Sequence, residues 1–511
     1  MNRPLEVLRG AVTAVREWLL AVTCQSERTV VLGTILLASA VSAATGYFLT
    51  QCYSVDLIST LLYYPDDCWG DWGINIGRHC FSDYAVIVVS GMRPNPWGYP
   101  FFLPPDYQPA VILYPAGGLI PHLLFGLPAE WLGAPRLGLI GYLFALTIAV
   151  ISPAVWAARG ARGLERVVVF VTLGAAAIPA WAVIDRGNSA GFVVPIALVF
   201  FVALSRHRWG LATIMVVLAA LVKPQFAILA VALLAARQWR LSGLALAGVV
   251  ISNIAAYLLW PKDFPETITQ SFHNMMKYNS FGALLDAHNV SFGKAVLMIP
   301  DGIKASQTGG KIPDGFLAGP RSMIGYAVLA LVVVSVLALG RRIPPVMVGI
   351  VLLATATLCP PYTSFYYLVF VLPVAALIVR DPDGPPGAGM FDQLATHGDR
   401  RRAVGICVSL AAALSIAQVA VPIHQLHVPI FGQLGARGAI GMTAIVPTTV
   451  PVAPILWLVA CVVIIVSYSR RPAHSHGSDR APARDGRQGT AFITSSWTAK
   501  LITEPSPPGP A

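Results

Sequence analysis

Long apolar runs alternate with short polar breaks along most of this chain. The runs at 29–49 and 446–466 are uncharged and about twenty residues long, enough to cross a hydrocarbon core. After 29–49, the full set of runs falls at 137–157, 167–184, 190–204, 210–222, 224–236, 241–260, 323–340, 344–359, 362–379, 405–422 and 448–468, the last being the C-terminal run just named. With the run at 29–49 they predict an all-α polytopic membrane protein of about twelve transmembrane helices. Several runs are too short to cross perpendicular to the bilayer. The connection at Lys223-Pro224 then lies below the outer surface, in a protein-lined cavity. The stretch at 109–127 is different. Pro109, Pro115, Gly117, Gly118 and Pro121 break it, and it includes His122. It reads as a short juxtamembrane helix on or dipping into the outer leaflet, where protein or water satisfies the broken backbone.

Composition agrees: 56% of the 511 residues are hydrophobic and only 12% are charged, about half the charged fraction of a soluble domain. The net charge of +11 does not point to nucleic acid. The basic residues sit in short clusters between apolar runs: Arg159/Arg162/Arg166, Arg206/Arg208, Arg237/Arg240, Arg341/Arg342, Arg400 to Arg402 and Arg470/Arg471. That is the positive-inside signature. It places two long segments rich in acidic and aromatic residues, about 51–136 and 261–322, outside the cell membrane. The predicted organisation is a cytoplasmic segment 1–28, a transmembrane module 29–380, a Pro/Gly-rich cytoplasmic linker 381–403, a transmembrane pair 404–468 and a disordered cytoplasmic tail 469–511. The run at 29–49 is read as an uncleaved first helix rather than a signal peptide. No two-fold repeat of the pattern is visible, which argues against a carrier built from matching halves. Cys68 and Cys80 in the first outer segment read equally as a disulfide or as free thiols, and Cys359, Cys407 and Cys461 as packing residues.

Polar residues beside apolar spans are expensive, and each is a functional candidate with a structural rival. Asp83 opens an apolar run, where a carboxylate also suits a helix N-terminus. Asp185-Arg-Gly-Asn188 makes a tight turn. Arg186 in it is either paired locally with Asp185 or an anion binder. Lys223, beside a helix-breaking proline, either snorkels to the interface or meets a phosphate. His273 and Lys277 share a helical face. Asp286-Ala-His288-Asn289-Val-Ser291 follows and contains a weak N-glycosylation match. Pro360 to Tyr367 is an aromatic turn that an interfacial belt would also explain. No P-loop, HExxH pair or GxSxG elbow is present, so ATP hydrolysis, zinc proteolysis and serine hydrolysis are not indicated.

Taken in order, these motifs resemble the GT-C superfamily of polyprenyl-phosphate-sugar-dependent glycosyltransferases. In particular they look like the actinobacterial mannosyl- and arabinofuranosyltransferases of the DUF2029 (GT87) family. The resemblance rests on Asp83-Tyr84 with downstream Gly91, Tyr107 and Tyr114-Pro115; on Arg186-Gly187-Asn188; on Leu221-Val-Lys-Pro224 followed by Arg237-Gln-Trp-Arg240; and on Tyr362 to Tyr367. It covers about 29–380. The chain departs from the family pattern in carrying Asp66, Asp67 and Asp71, with two cysteines, before Asp83, and in having no His in the aromatic turn. Any of those acids is therefore a rival to Asp83.

The resemblance implies transfer of a sugar from a lipid monophosphate to a hydroxyl of a cell-envelope glycan or glycolipid, with inversion, at the external face of the plasma membrane. It assigns Asp83 as general base, and Arg186, Lys223 and Asn188 to the donor phosphate. It assigns His273, Lys277, His288, Asn289, Tyr114 and Tyr366 to substrate. No metal or other cofactor is expected. A lipid-linked-sugar transporter or flippase is the rival reading. A cell-wall assembly scaffold, in which these polar residues are only structural, is the third.

Overall fold

The computed structural model describes residues 25–62, 81–103, 108–277, 281–423, 425–431 and 440–470. Asp66, Asp67, Cys68, Asp71, Cys80, Tyr107 and the segment 471–511 lie outside the described residues. The Cys68 and Cys80 pair, read equally as a disulfide or as free thiols, the rival acids and the predicted tail beyond residue 470 therefore fall there.

The apolar runs fold as helices. α1 (Glu27–Tyr53) is capped by Ser26, whose hydroxyl accepts the Thr29 amide. α2 (Ser82–Gly91) and α3 (Ala116–Trp131) follow in the first long loop. α4 (Pro135–Ala158) is a long helix begun by proline. Next come α5 (Ile178–Arg186), α6 (Val193–Ser205), α7 (Trp209–Val222) and α8 (Trp239–Tyr257). α9 (Glu266–Lys277) belongs to the second long loop, and α10 (Ala318–Leu339) leaves it. α11 (Pro345–Leu358), α12 (Val371–Val379), α13 (Arg402–Ile416) and α14 (Val452–Ser469) complete the bundle.

The prediction of about twelve transmembrane helices is not confirmed. Among the described residues five helices are long and apolar enough to cross a membrane, or six if the pair Gly163–Ala175 and Ile178–Arg186, bent by 46°, is one span. The bend has a local cause. The helix widens to a π-turn at Val171–Ala175 and restarts at the Ile178-Pro179 step. The other apolar helices have 10–17 residues, roughly 15–26 Å at 1.5 Å per residue, against a hydrocarbon core of about 30 Å. Burial differs among them: α11 is buried along nearly its whole length, whereas α7 exposes Ile214 and Leu218. Their apolar character thus reflects protein burial as much as lipid contact. The all-α expectation also needs amending. Short antiparallel hairpins join Phe101–Leu103 to Gln108–Ala110, and Leu426–Phe431 to Ile440–Ile445. The second hairpin docks on the segment after α1 through the Asp56 amide on Ala444 O at 2.9 Å.

The two ends of the bundle differ. At one end the basic clusters meet acids from distant segments. Arg28 pairs with Glu165, Arg206 with Asp383, and Arg400 and Arg402 with Glu27, at 2.7–3.0 Å. α5, α7 and α8 run toward the other end, where the two long loops lie. There Asn95 donates to Asp263 and Gln270, and Asn274 to the carbonyls of Trp97 and Ile112. These amides fasten α9 onto the first loop. Arg321 and Asp301, in bidentate contact at 2.6 and 2.9 Å, fasten the end of the second loop to α10.

Candidate active site

Gly187 is the pivot of the site. It ends α5 in the left-handed region at φ 68°, and its amide and that of Asn188 return to the carbonyls of Ile184 and Val183. A side chain there would be strained and would crowd Tyr84. The turn sends Arg186 and Asn188 to the same partner. Asp83, in the first turn of α2, accepts Arg186 Nε at 3.1 Å and Asn188 Nδ2 at 2.6 Å, both on Oδ2. The same Asn188 amide lies 2.6 Å from the Tyr114 hydroxyl and 3.3 Å from that of Tyr366. Its Oδ1 accepts the Ala190 amide, so the side chain is fixed at both ends. Asn188 is fully buried.

Lys223 closes the other side. The break between α7 and the 3₁₀ turn Pro224–Leu229 leaves it extended between two helices. Its Nζ donates to Tyr367 Oη at 2.9 Å and lies 4.0 Å from the centre of the Tyr114 ring. Gly117 makes this approach possible, because a Cβ there would overlap the Leu221 carbonyl oxygen. The Arg186 guanidinium lies 5.5 Å from the centre of the Tyr366 ring, and Tyr366 stacks on Tyr367. The cage therefore combines one carboxylate, two cations, one amide and three tyrosines from five chain segments.

Electrostatics favour a carboxyl that titrates near neutrality. α2, at ten residues, is about 15 Å long and does not span. Burial raises the Asp83 carboxyl to about 6; hydrogen bonds from Asn188 and Tyr114 and the charge of Lys223 oppose that rise.

Asp83, Arg186, Asn188, Lys223, Tyr114 and Tyr366 thus come together, although the chain separates Asp83 from Arg186 by 103 residues. The second loop contributes differently. His273 is exposed on α9; its neighbour Asn274 faces the first loop. The side chain of Lys277 lies outside the described residues. His288 packs on Phe365 with a ring separation of 5.4 Å, and its Nδ1 is 3.4 Å from Asp286 Oδ1. Asn289 is fully engaged inside the protein. It donates to the carbonyls of Leu284 and Pro361 and accepts the amides of Ser291 and Thr363. That leaves it no hydrogen-bonding capacity for substrate, and its complete burial excludes it as a glycosylation acceptor in the folded chain. Sequence reasoning gave no individual role to Tyr367, the hydroxyl partner of Lys223, nor to Tyr142 and His122, which meet the Gly187 carbonyl at 2.9 and 3.0 Å. A tyrosine inside an apolar run and a histidine in a proline-broken one were the available signals.

A buried carboxylate held beside two cations and ringed by tyrosines, at the loop-bearing end of an apolar bundle, has the parts of a membrane group-transfer enzyme. Residues 113–361 match the model for Glycosyltransferase family 87, a match consistent with a GT87-type glycosyltransferase. The matched segment holds Tyr114, Arg186, Asn188 and Lys223; Asp83 precedes it, and Tyr366 and Tyr367 follow it. No curated protein and no solved structure gives a significant match to the chain.

Proposed function

We propose that this glycosyltransferase moves a mannosyl or arabinofuranosyl residue from a polyprenyl-phosphate donor to a hydroxyl of a cell-envelope glycan or glycolipid, with inversion, at the external face of the plasma membrane. The observation that carries the reading is the meeting of Asp83 with Arg186 and Asn188 on one oxygen, with Lys223 facing the same cage. A sugar hydroxyl is a poor nucleophile, and a carboxylate that titrates near 6 is suited to taking its proton at neutral pH. The departing lipid phosphate needs its charge held. Arg186 and Lys223 supply fixed cations for it in a site with little water, and Asn188 orients it. Those cations do the work that a divalent ion would otherwise do, so transfer should persist in EDTA.

A lipid-linked donor also needs room for its chain. A cavity of about 640 Å³ is lined by Met92, Leu123, Leu124, Leu127, Trp131 and Leu259 among others. It meets α2 at Gly91, eight residues or about 12 Å along the helix from Asp83. An isoprenoid tail leaving a phosphate in the cage would run along α2 and α3 into this groove. The test supplies purified protein in lipid nanodiscs with polyprenyl-phosphate mannose or polyprenyl-phosphate arabinofuranose and a hydroxyl acceptor, and separates the products. Glycosylated acceptor from one donor supports the reading and names the sugar. Movement of donor across a vesicle membrane with no glycosylated product would establish a transporter instead.

A further inference from the structure

The Gly187-Asn188 peptide is held on both sides. Its N–H, belonging to Asn188, is bound to Val183 O at 3.1 Å. Its carbonyl, belonging to Gly187, receives two donors: Tyr142 Oη at 2.9 Å and His122 Nε2 at 3.0 Å. A carbonyl can only accept, so Nε2 carries the ring proton. The two donors come from different helices, α4 and α3, and their rings stack at 4.9 Å with 20° between planes. Tyr142 also packs on Tyr84, at 4.8 Å, and Tyr84 is the residue after Asp83. Both donors are completely buried. A buried histidine and tyrosine converging on one carbonyl lie one residue from Arg186 on one side and next to Asn188 on the other. Those are the two residues that donate to Asp83 Oδ2.

We infer that His122 and Tyr142 are positioning residues for the transfer, clamping the Gly187 carbonyl so that Arg186 and Asn188 hold the Asp83 carboxylate in one geometry. The inference rests on the proposed role of Asp83 as base. Without the clamp the peptide can rotate, and the Asn188 amide and the Arg186 guanidinium lose their shared register on Oδ2. The carboxyl is then less well held in its charged form. The groups facing it are Arg186, Asn188, Tyr114, Lys223, Tyr142 and Tyr366. Only the first two hang from the clamped turn. Burial lowers His122 to about 3, so it is neutral throughout the working pH range and its own titration does not enter.

The test measures the pH dependence of kcat in purified full-length protein for Tyr142→Phe, His122→Leu and His122→Gln. Tyr142→Phe keeps the ring and removes one donor, and His122→Gln keeps an N–H donor. The loss of one donor should lower kcat about three- to tenfold, and move the rising limb of the profile to higher pH. Gln should restore more activity than Leu. If the limb stays in place in Tyr142→Phe and His122→Leu, and kcat follows only the amount of folded protein, the clamp is structural and the inference fails. Asp83→Asn in the same preparations separates the two ideas. An inactive Asp83→Asn with unmoved limbs in the other variants overturns the clamp alone. A fully active Asp83→Asn overturns the base, and the clamp with it.

Discussion

Both ends of the bundle bury a carboxylate against arginine, but in opposite manners. At the basic end Glu27, 2% exposed, uses both oxygens: Oε1 accepts from Arg400 and Arg402, and Oε2 from Arg400. At the loop-bearing end Asp83 meets Arg186 through Nε, shares its oxygen with an amide, and sits among tyrosine rings with a lysine facing it. Two guanidinium groups around one carboxylate make a tie between α1 and the segment leading into α13. A single guanidinium, one amide and a partly buried carboxyl make a group whose charge is costly and whose proton is exchangeable near pH 6. Buried ion pairs therefore do not mark function by themselves. The mixture of donors, the aromatic lining and the upward shift set the second site apart.

The sharpest way to break this comparison is Asp83→Asn. Loss of a general base should lower transfer about 10²- to 10⁴-fold, with the protein still inserted and folded. Radiolabelled sugar transfer in nanodiscs reads the rate, and size-exclusion chromatography reads the fold. Wild-type transfer by this variant would move the base to one of the acids at 66–71.

Asp301→Asn tests whether pairing at the loop-bearing end is always functional. Arg321 is fully buried, and its guanidinium would lose its only charged partner among the described residues. Leaving a charge buried and unpaired costs about 3–5 kcal/mol. Thermal unfolding should show that loss, while kcat per folded molecule stays at the wild-type value. A fall in kcat with no change in unfolding would place Asp301 in the chemistry.

Lys223→Met keeps the apolar stem and removes the cation. If the ammonium receives the lipid phosphate, donor affinity should drop by the worth of a hydrogen bond to a charged group, about 1.5–3 kcal/mol, or roughly 10- to 150-fold. A donor titration at fixed acceptor measures it. Unchanged donor affinity would return Lys223 to a packing role between Tyr114 and Tyr367.

How far the sequence foretold this arrangement depends on what kind of signal each part leaves. Apolar runs report length and burial, so the edges of α7 and the break at Lys223-Pro224 were visible, as was the turn at Gly187. Apolar character is common to lipid-facing and protein-facing helices, so apolar runs alone do not count the spans. Pairing leaves no periodic trace. Nothing in the local sequence around Arg186 announces its hydrogen bond to Asp83, 103 residues away. Asn289 stood in a polar cluster that suggested substrate, whereas it staples the second loop to the turn at Pro361 and Thr363. The aromatic turn was noticed as a whole, but only packing distinguishes Tyr366, which meets Asn188, from Tyr367, which meets Lys223.

The pH profile sharpens the comparison further. The carboxyl at about 6 lies above its ordinary value of 3.8 because burial penalises the charged form. The base is the unprotonated form. kcat should therefore fall as pH drops through 6, approaching tenfold per pH unit below it. It should be flat between about 7 and 8. A rising limb near 4 would mean that water or the donor reaches Asp83 and cancels the desolvation.

The smallest expected effect is at the opposite end, in Glu27→Gln. Its partners Arg400 and Arg402 are about a third exposed, so water takes over part of what the carboxylate gave them. The loss should be near 1 kcal/mol, far less than for Asp301→Asn, although Glu27 has one more guanidinium partner. Turnover and its pH profile should be those of the wild type, since the side-chain partners of the Glu27 carboxylate among the described residues, Arg400 and Arg402, are not part of the cage. A displaced pH limb in Glu27→Gln would mean that α1 transmits the state of the basic end to Asp83, and that the two carboxylates form one coupled system. An unchanged limb with a small loss of stability leaves Glu27 a tie and Asp83 the only one of the two carboxylates whose charge governs the reaction.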